Sequence, residues 1–148
     1  MLSYRHGFHA ANHADILKHM ILCLLLRALN RKEKPYSIID THSGSGIYNL
    51  NSAMALKNQE FRSGIRRVIN NKGLKKIVPE FFEVLEQLKA ADEQAYPGSP
   101  YFSASLMRDS DKLTLIDLHP TEFENLRRCF RRDERINIQN RDGLEALG

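Results

Sequence analysis

A chain of 148 residues with 42% hydrophobic and 27% charged side chains is long enough for one domain with a real core and too short for two comfortable ones. Its formal net charge of +4, with a pI near 9.2, fits a nucleic-acid partner without requiring one. Cys23 and Cys129 lie far apart and form neither a CxxC nor a disulfide framework, which points to a reducing cytosol, and the apolar run Met20 to Leu26 is far below the roughly 20 residues of a membrane span.

Residues 1–12, MLSYRHGFHAAN, carry no period but are rich in aromatic and ring-nitrogen side chains, as in a tail that is either disordered or laid across a site. Asn12 is placed to cap the helix that follows, with Asp15 three residues on in a variant of the capping-box spacing. The helix is predicted through HADILKHMILCLLLRALNRK. Its residues Ile16, Leu17, Met20, Ile21, Leu24, Leu25 and Leu29 recur at three- and four-residue steps, so one broad face is expected to be buried. Pro35 ends it, and the apolar run Tyr36 to Ile39 reads as a strand leading into the loop DTHSGSG. GIYNLNSAMALK is predicted to open the next helix.

Residues 58–95 are more polar and basic. Helical spacing at Ile65, Val68 and Ile69, then at Ile77, Phe81, Leu85 and Leu88, with breaks at Gly73 and Pro79, predicts a small helical insertion without strands. An α/β rhythm returns at YPGSPYFSASLM, a Pro/Gly turn running into a helix. KLTLIDLHP is a strand ending at Asp117, and TEFENLRRCF a helix with Phe123, Leu126 and Phe130 on one side. RINIQNRDG is a strand that stops at Asp142 and Gly143. Such alternation argues for a parallel sheet with helices on its faces. The expected parcels are a tail at 1–12, an α/β domain at 13–57 and 96–148, and the insertion at 58–95.

All three predicted strands end in a carboxylate: Asp40, Asp117 and Asp142. Ligands of open α/β sheets bind outside the carboxyl ends of the strands, so the three acids are expected around one crevice. Asp also caps helices and turns well, which is the plainer role for any one of them. A dinucleotide fingerprint would need glycine at position 49, where Asn49 stands, and a pyrophosphate sits poorly beside Asp40. No GK[ST] follows the glycines, which excludes a P-loop. A ligand with an ammonium group and a sugar suits the acids better, and S-adenosylmethionine is such a ligand. Asp40 can favour its amino group, and His42 or backbone N–H groups its carboxylate. Asp117 can accept from the ribose hydroxyls and Asp142 from the adenine amine. Gly143 lets the base approach the backbone, while Gly44 and Gly46 permit close passage of the chain.

The stretches MLSYRHGFHAANHADILKH, DTHSGSGIYNL, YPGSP, LIDLHP and RDG, in this order, resemble the RlmJ family, S-adenosylmethionine-dependent methyltransferases that modify an adenine N6 of 23S ribosomal RNA. The resemblance covers essentially the whole chain. It implies an α/β, Rossmann-like methyltransferase fold with a helical insertion after the first strand, truncated before the fourth strand. It implies cofactor contacts at His19, His42, Ser99, Asp117, Asp142 and Gly143, and an RNA-side role for Tyr4, with His6 and Lys18 near the substrate. The acid after the second strand, often Glu in such proteins, is Asp117, one methylene shorter in reach. The family's catalytic Asp-Pro-Pro-Tyr on the fourth strand is absent from these 148 residues, so the catalytic Asp is expected beyond Gly148. No catalytic residue is expected within the chain, which alone is expected to be inactive. A cytoplasmic location, a monomer once complete, and the absence of metal and membrane partners complete the expectation.

Plainer roles accompany several of these residues. His6, His9 and His13 lack the Cys or carboxylate that would complete a zinc-like spacing. His19 on an apolar helix reads equally as a satisfied core histidine, Ser99 between Gly98 and Pro100 as a turn residue, and Arg127, Arg128, Arg131 and Arg132 as a solvated helix face. Two other functions use the same features. One is a nucleic-acid-binding or external-DNA-utilisation protein without methyl transfer, which would not bind S-adenosylmethionine. The other is a nucleotide-cofactor oxidoreductase, disfavoured by Asn49 and Asp40.

Overall fold

A computed structural model describes residues 5–148. Tyr4, an expected RNA-side residue, lies outside the described residues. Residues 5–12 are laid down on the domain: His6–Phe8 make one 3-10 turn, and Gly7, Ala10 and Ala11 are buried.

The first helix, α1 (His13–Asn30), starts where expected, because the Asn12 side chain accepts from the Asp15 N–H at 2.9 Å. Its buried stripe is Asp15, Ile16, His19, Met20, Cys23 and Leu26. The broad apolar face expected from the spacing is only partly buried. Leu17, Ile21, Leu24, Leu25 and Leu29 are exposed, Leu17 by 62% and Leu25 by 58%. The apolar arc of α1 is wider than the surface that the helices beside it cover.

Three strands form a parallel sheet: β1 (Ser37–Asp40), β4 (Lys112–Ile116) and β5 (Ile136–Gln139), in the order β1-β4-β5. The register pairs Ser37 with Lys112 and Leu113 with Ile136. The central strand is the most buried, with Leu113, Leu115 and Ile116 inside, and β1 forms an edge. A clamp fixes the start of β1: buried Asp111 accepts from the Tyr36 N–H at 3.0 Å and from Arg108 Nε and Nη2 at 3.0 and 2.9 Å. After β5 the chain makes a last 3-10 turn, Glu145–Leu147, and reaches Gly148.

The segment GIYNLN is a correction to the sequence reading. Instead of opening a helix, Ile47–Asn49 is a strand, β2, antiparallel to β3 (Ala95–Pro97), with Tyr48 opposite Tyr96. Three residues are too few to show a period, so the pairing depends on a partner far away in the chain. The helix begins later, as α2 (Ala53–Asn58), capped by Ser52.

Between β2 and β3 the chain is helical through α3 (Ile65–Val68), α4 (Lys72–Ile77) and α5 (Pro79–Ala91), but β3 corrects the expected strand-free end of the insertion, since it opens at Ala95 and takes Tyr96 and Pro97 of the expected turn. Pro79 opens α5, whereas Gly73 lies inside α4 and breaks nothing. Phe81, Leu85 and Leu88 are buried as the spacing predicts, while Ile77 is exposed. The insertion shares one core with α1 and α6 (Ser99–Leu106); Phe81 stacks on Phe102 with centroids 5.2 Å apart. A second cluster joins the sheet to α7 (Pro120–Phe130) through Leu113, Leu115, Leu126 and Phe130.

Candidate active site

Parallel strands end at the same edge of the sheet, so Asp40 at the end of β1, Asp117 just past β4 and Asp142 beyond β5 come to one side. There Asp117 and Asp142 border a cavity of about 520 Å³, within the usual range for a small-molecule site, whereas Asp40 lies outside its lining. Its lining includes His6, Lys18, His42, Gly44, Asp117, Asp142 and Gly143 among the expected residues. His19, Ser99 and Asp40 line an adjoining cleft along β1 that shares Lys18, Thr41 and His42 with the cavity. Gly46 lines neither. Nor does Gly148.

Asp117 organises the loop after β1. Its Oδ2 accepts from the Gly44 N–H at 2.9 Å and its Oδ1 from the His119 N–H at 2.8 Å. Each oxygen keeps a further lone pair for a hydroxyl donor. Gly44 and Gly46 have φ of 66° and 82°, which favours glycine at both. A Cβ on Gly44 would meet the Tyr48 hydroxyl at 1.9 Å, and one on Gly46 would meet Phe130 Cε2 at 3.0 Å. The left-handed backbone thus favours glycine at both positions, and at Gly44 the Tyr48 hydroxyl also leaves no room for a Cβ. Ser45 is fixed beneath the loop by hydrogen bonds to buried Glu122 and to Asn125.

Asp40 accepts from Ser99 Oγ at 2.6 Å and from the His42 N–H at 3.3 Å. Burial raises its pKa, and these hydrogen bonds only partly oppose the rise. Ser99 thus does more than turn the chain, since it joins the first residue of α6 to the end of β1. His19 is 3% exposed, with Nδ1 2.9 Å from the Tyr96 hydroxyl, and burial lowers its pKa to about 4. It is a neutral ring at neutral pH. The core role and the cleft-lining role coexist in it.

Asp142 accepts from the Leu144 and Glu145 N–H groups through Oδ1, at 2.8 and 3.1 Å, which hold its carboxyl below the usual range. Among the described residues nothing hydrogen-bonds its Oδ2. Gly143 is buried against the loop after β1, where a Cβ would meet the Thr41 carbonyl oxygen at 2.0 Å.

His6 and Lys18, also in the cavity lining, meet at Asp15, to which His6 Nε2 lies at 2.7 Å and Lys18 Nζ at 3.4 Å. Sequence reasoning missed Thr41, Leu118, His119 and Glu122 in the cavity wall. Thr41, Leu118 and His119 directly follow acid-ended strands, which was the available signal. Glu122 sits one turn into α7 and carried none. Among the described residues no group of three His, Cys, Asp or Glu side chains is arranged to hold a metal, and no helix is long and apolar enough to cross a membrane.

The family described as "Ribosomal RNA large subunit methyltransferase D, RlmJ" matches residues 33–147. Ribosomal RNA large subunit methyltransferase J of Escherichia coli K12 is 38% identical over 99% of this chain and 53% of its own length. Its namesake from Haemophilus influenzae is 37% identical, again over 99% and 53%. The crystal structure of protein LPL1258 from Legionella pneumophila superposes with a TM-score of 0.82 and 35% identity, over 94% of this chain and 51% of that one. The chain spans about half the length of the curated relatives it matches. By a match across most of its residues, the chain belongs to the RlmJ family of ribosomal RNA large subunit methyltransferases.

Proposed function

We propose that the cavity is an S-adenosylmethionine site on a Rossmann-like sheet, and that the chain is the cofactor-binding part of a cytoplasmic enzyme that methylates an adenine N6 of 23S ribosomal RNA. The observation that carries the reading is a cavity bordered by Asp117 and Asp142, with Asp40 in the cleft beside it, Asp142 Oδ2 unengaged among the described residues and Asp117 holding the glycine loop. Their donor preferences fit the group: Asp117 for the ribose diol, Asp142 Oδ2 for the adenine amine, and Asp40 for the ammonium across the shared wall at His42. When bound, S-adenosylmethionine supplies an electrophilic methyl group.

The residues of this chain hold and align; His42 and the loop N–H groups take the carboxylate, and the Gly44 turn stays rigid because Asp117 and Tyr48 fix it from two sides. Alignment of an amine with a methyl carbon provides much of such a rate enhancement. With the cofactor held there, an attacking amine would have to lie in line with its methyl group and lose a proton to an acceptor. The acceptors for that proton are supplied by Asp-Pro-Pro-Tyr in the family pattern, which these 148 residues lack.

The test is a radiolabelled methyl-transfer assay on undermodified 23S RNA. The 148-residue chain is compared with a chimera extended after Gly148 by the remainder of the Escherichia coli relative. Transfer by the chimera and none by the short chain is expected. Robust turnover by the short chain would place the catalytic residues within it.

A further inference from the structure

We infer that Asp15 is the positioning residue of the substrate side: a single buried carboxylate that fixes both His6 and Lys18 at the mouth of the cavity, where they meet the RNA backbone beside the target base. The inference rests on the reading of the chain as an RNA methyltransferase.

Asp15 stands in the first turn of α1, where a carboxylate ordinarily points into water and favours the helix N-terminus. Here it is 1% exposed. Helix capping does not need its side chain, because Asn12 performs that role toward the Asp15 N–H. A carboxylate withdrawn from water is costly unless partners replace the lost hydration. Two of the partners come from the tail. Oδ2 accepts from the Ala11 N–H at 3.0 Å and pairs with His6 Nε2 at 2.7 Å. Oδ1 is buried, makes no hydrogen bond among the described residues, and faces the Lys18 ammonium, 3.4 Å away.

The two oxygens thus divide the task. Oδ2 holds the tail, including Ala11 at a φ of 61°, a left-handed bend that a non-glycine residue adopts only when held. Oδ1 draws back the head of Lys18, whose side chain is otherwise 65% exposed. His6 is braced on its other side by an edge-on contact with the Tyr48 ring, centroids 5.2 Å apart. Burial alone would raise the Asp15 pKa. The His6 hydrogen bond, with the Lys18 ammonium nearby, outweighs it and keeps the carboxyl below its usual range.

Because Asp15 acts through His6 and Lys18, its removal should matter only while they are present. The experiment measures binding of a short adenine-containing RNA hairpin to the 148-residue chain by fluorescence anisotropy. Asp15→Asn is placed in the unaltered chain and in a His6→Ala, Lys18→Ala background. Asp15→Asn alone is expected to weaken binding about tenfold, and to have no further effect in the double-variant background. An equal loss in both backgrounds overturns the inference and leaves the RNA reading intact. Failure of the unaltered chain to bind the hairpin overturns both. Should Asp15→Asn not fold by circular dichroism, the His6→Ala and Lys18→Ala losses decide the matter. Coupling between the two through a shared carboxylate supports the inference, and strict additivity overturns it.

Discussion

Asp117 and Gly44 lie 73 residues apart in the chain and are joined by one hydrogen bond of 2.9 Å, from the Gly44 N–H to Asp117 Oδ2. The acid that ends the central strand thereby holds the turn that leaves the edge strand. On the proposed reading, one side chain would then serve both the cofactor ribose and the geometry of the loop.

Asp117→Asn keeps an acceptor for one N–H group and removes the charge. Hydrogen bonds to charged groups contribute about 1.5–3 kcal/mol each, so S-adenosylmethionine affinity should fall about tenfold to a few hundredfold in the extended chimera. Calorimetry is the measurement. Unchanged affinity would remove the ribose role from Asp117.

Gly143→Ala introduces a methyl group where the Thr41 carbonyl oxygen would lie 2.0 Å away. Backbone cannot yield as a flexible side chain does, so a loss of about 1–3 kcal/mol in stability is expected. Thermal unfolding with and without cofactor measures it. A variant as stable as the unaltered chain would show that the two loops part freely.

The Arg108 guanidinium beside Asp111 holds its carboxyl well below the usual carboxylate range, and burial opposes this without prevailing. A depressed folded-state pKa contributes stability above the unfolded value, near 3.9, that is lost as pH falls toward the folded one. Asp111→Asn should therefore flatten the acid limb of the stability curve and lower stability at neutral pH, since it removes the charge that Arg108 pairs with. Urea titrations at several pH values between neutrality and the acid limb would show it. An unchanged acid limb would contradict the clamp.

Leu17, Ile21, Leu24 and Leu25 form an exposed apolar stripe on α1, and Ile39, 54% exposed, adds β1, which has one strand neighbour among the described residues. Contiguous apolar surface and an unpaired parallel edge both promote association. The 148-residue chain should self-associate with rising concentration, and Leu17→Glu with Leu25→Glu should suppress this while leaving the melting curve nearly unchanged. Sedimentation velocity decides. A monomer at every concentration would contradict the expectation.

The strand ends were legible because each core strand is a short apolar run closed by Asp, Gly or Pro, and a parallel sheet gathers such ends by construction. Helical spacing found α1 and α5, yet could not tell which part of the wide apolar arc of α1 is covered, since that depends on neighbours distant in sequence. Strand β2 was hidden by its length of three residues. Gly44 and Gly46 were visible as special positions, but the Tyr48 hydroxyl, which leaves no room for a Cβ at Gly44, appears only after folding. Asp15 read as a cap from its spacing; its burial and its contact with His6 are tertiary.

The central claim is that the cavity holds S-adenosylmethionine. It is tested most directly by titrating the cofactor into the isotopically labelled 148-residue chain and following backbone amide resonances, which detect weak binding. The account predicts saturable shifts concentrated at His42 to Gly44, Asp117 to His119 and Asp142 to Gly143, greatly reduced by Asp117→Asn. No shifts at all, or shifts centred away from these three strand ends, would contradict it.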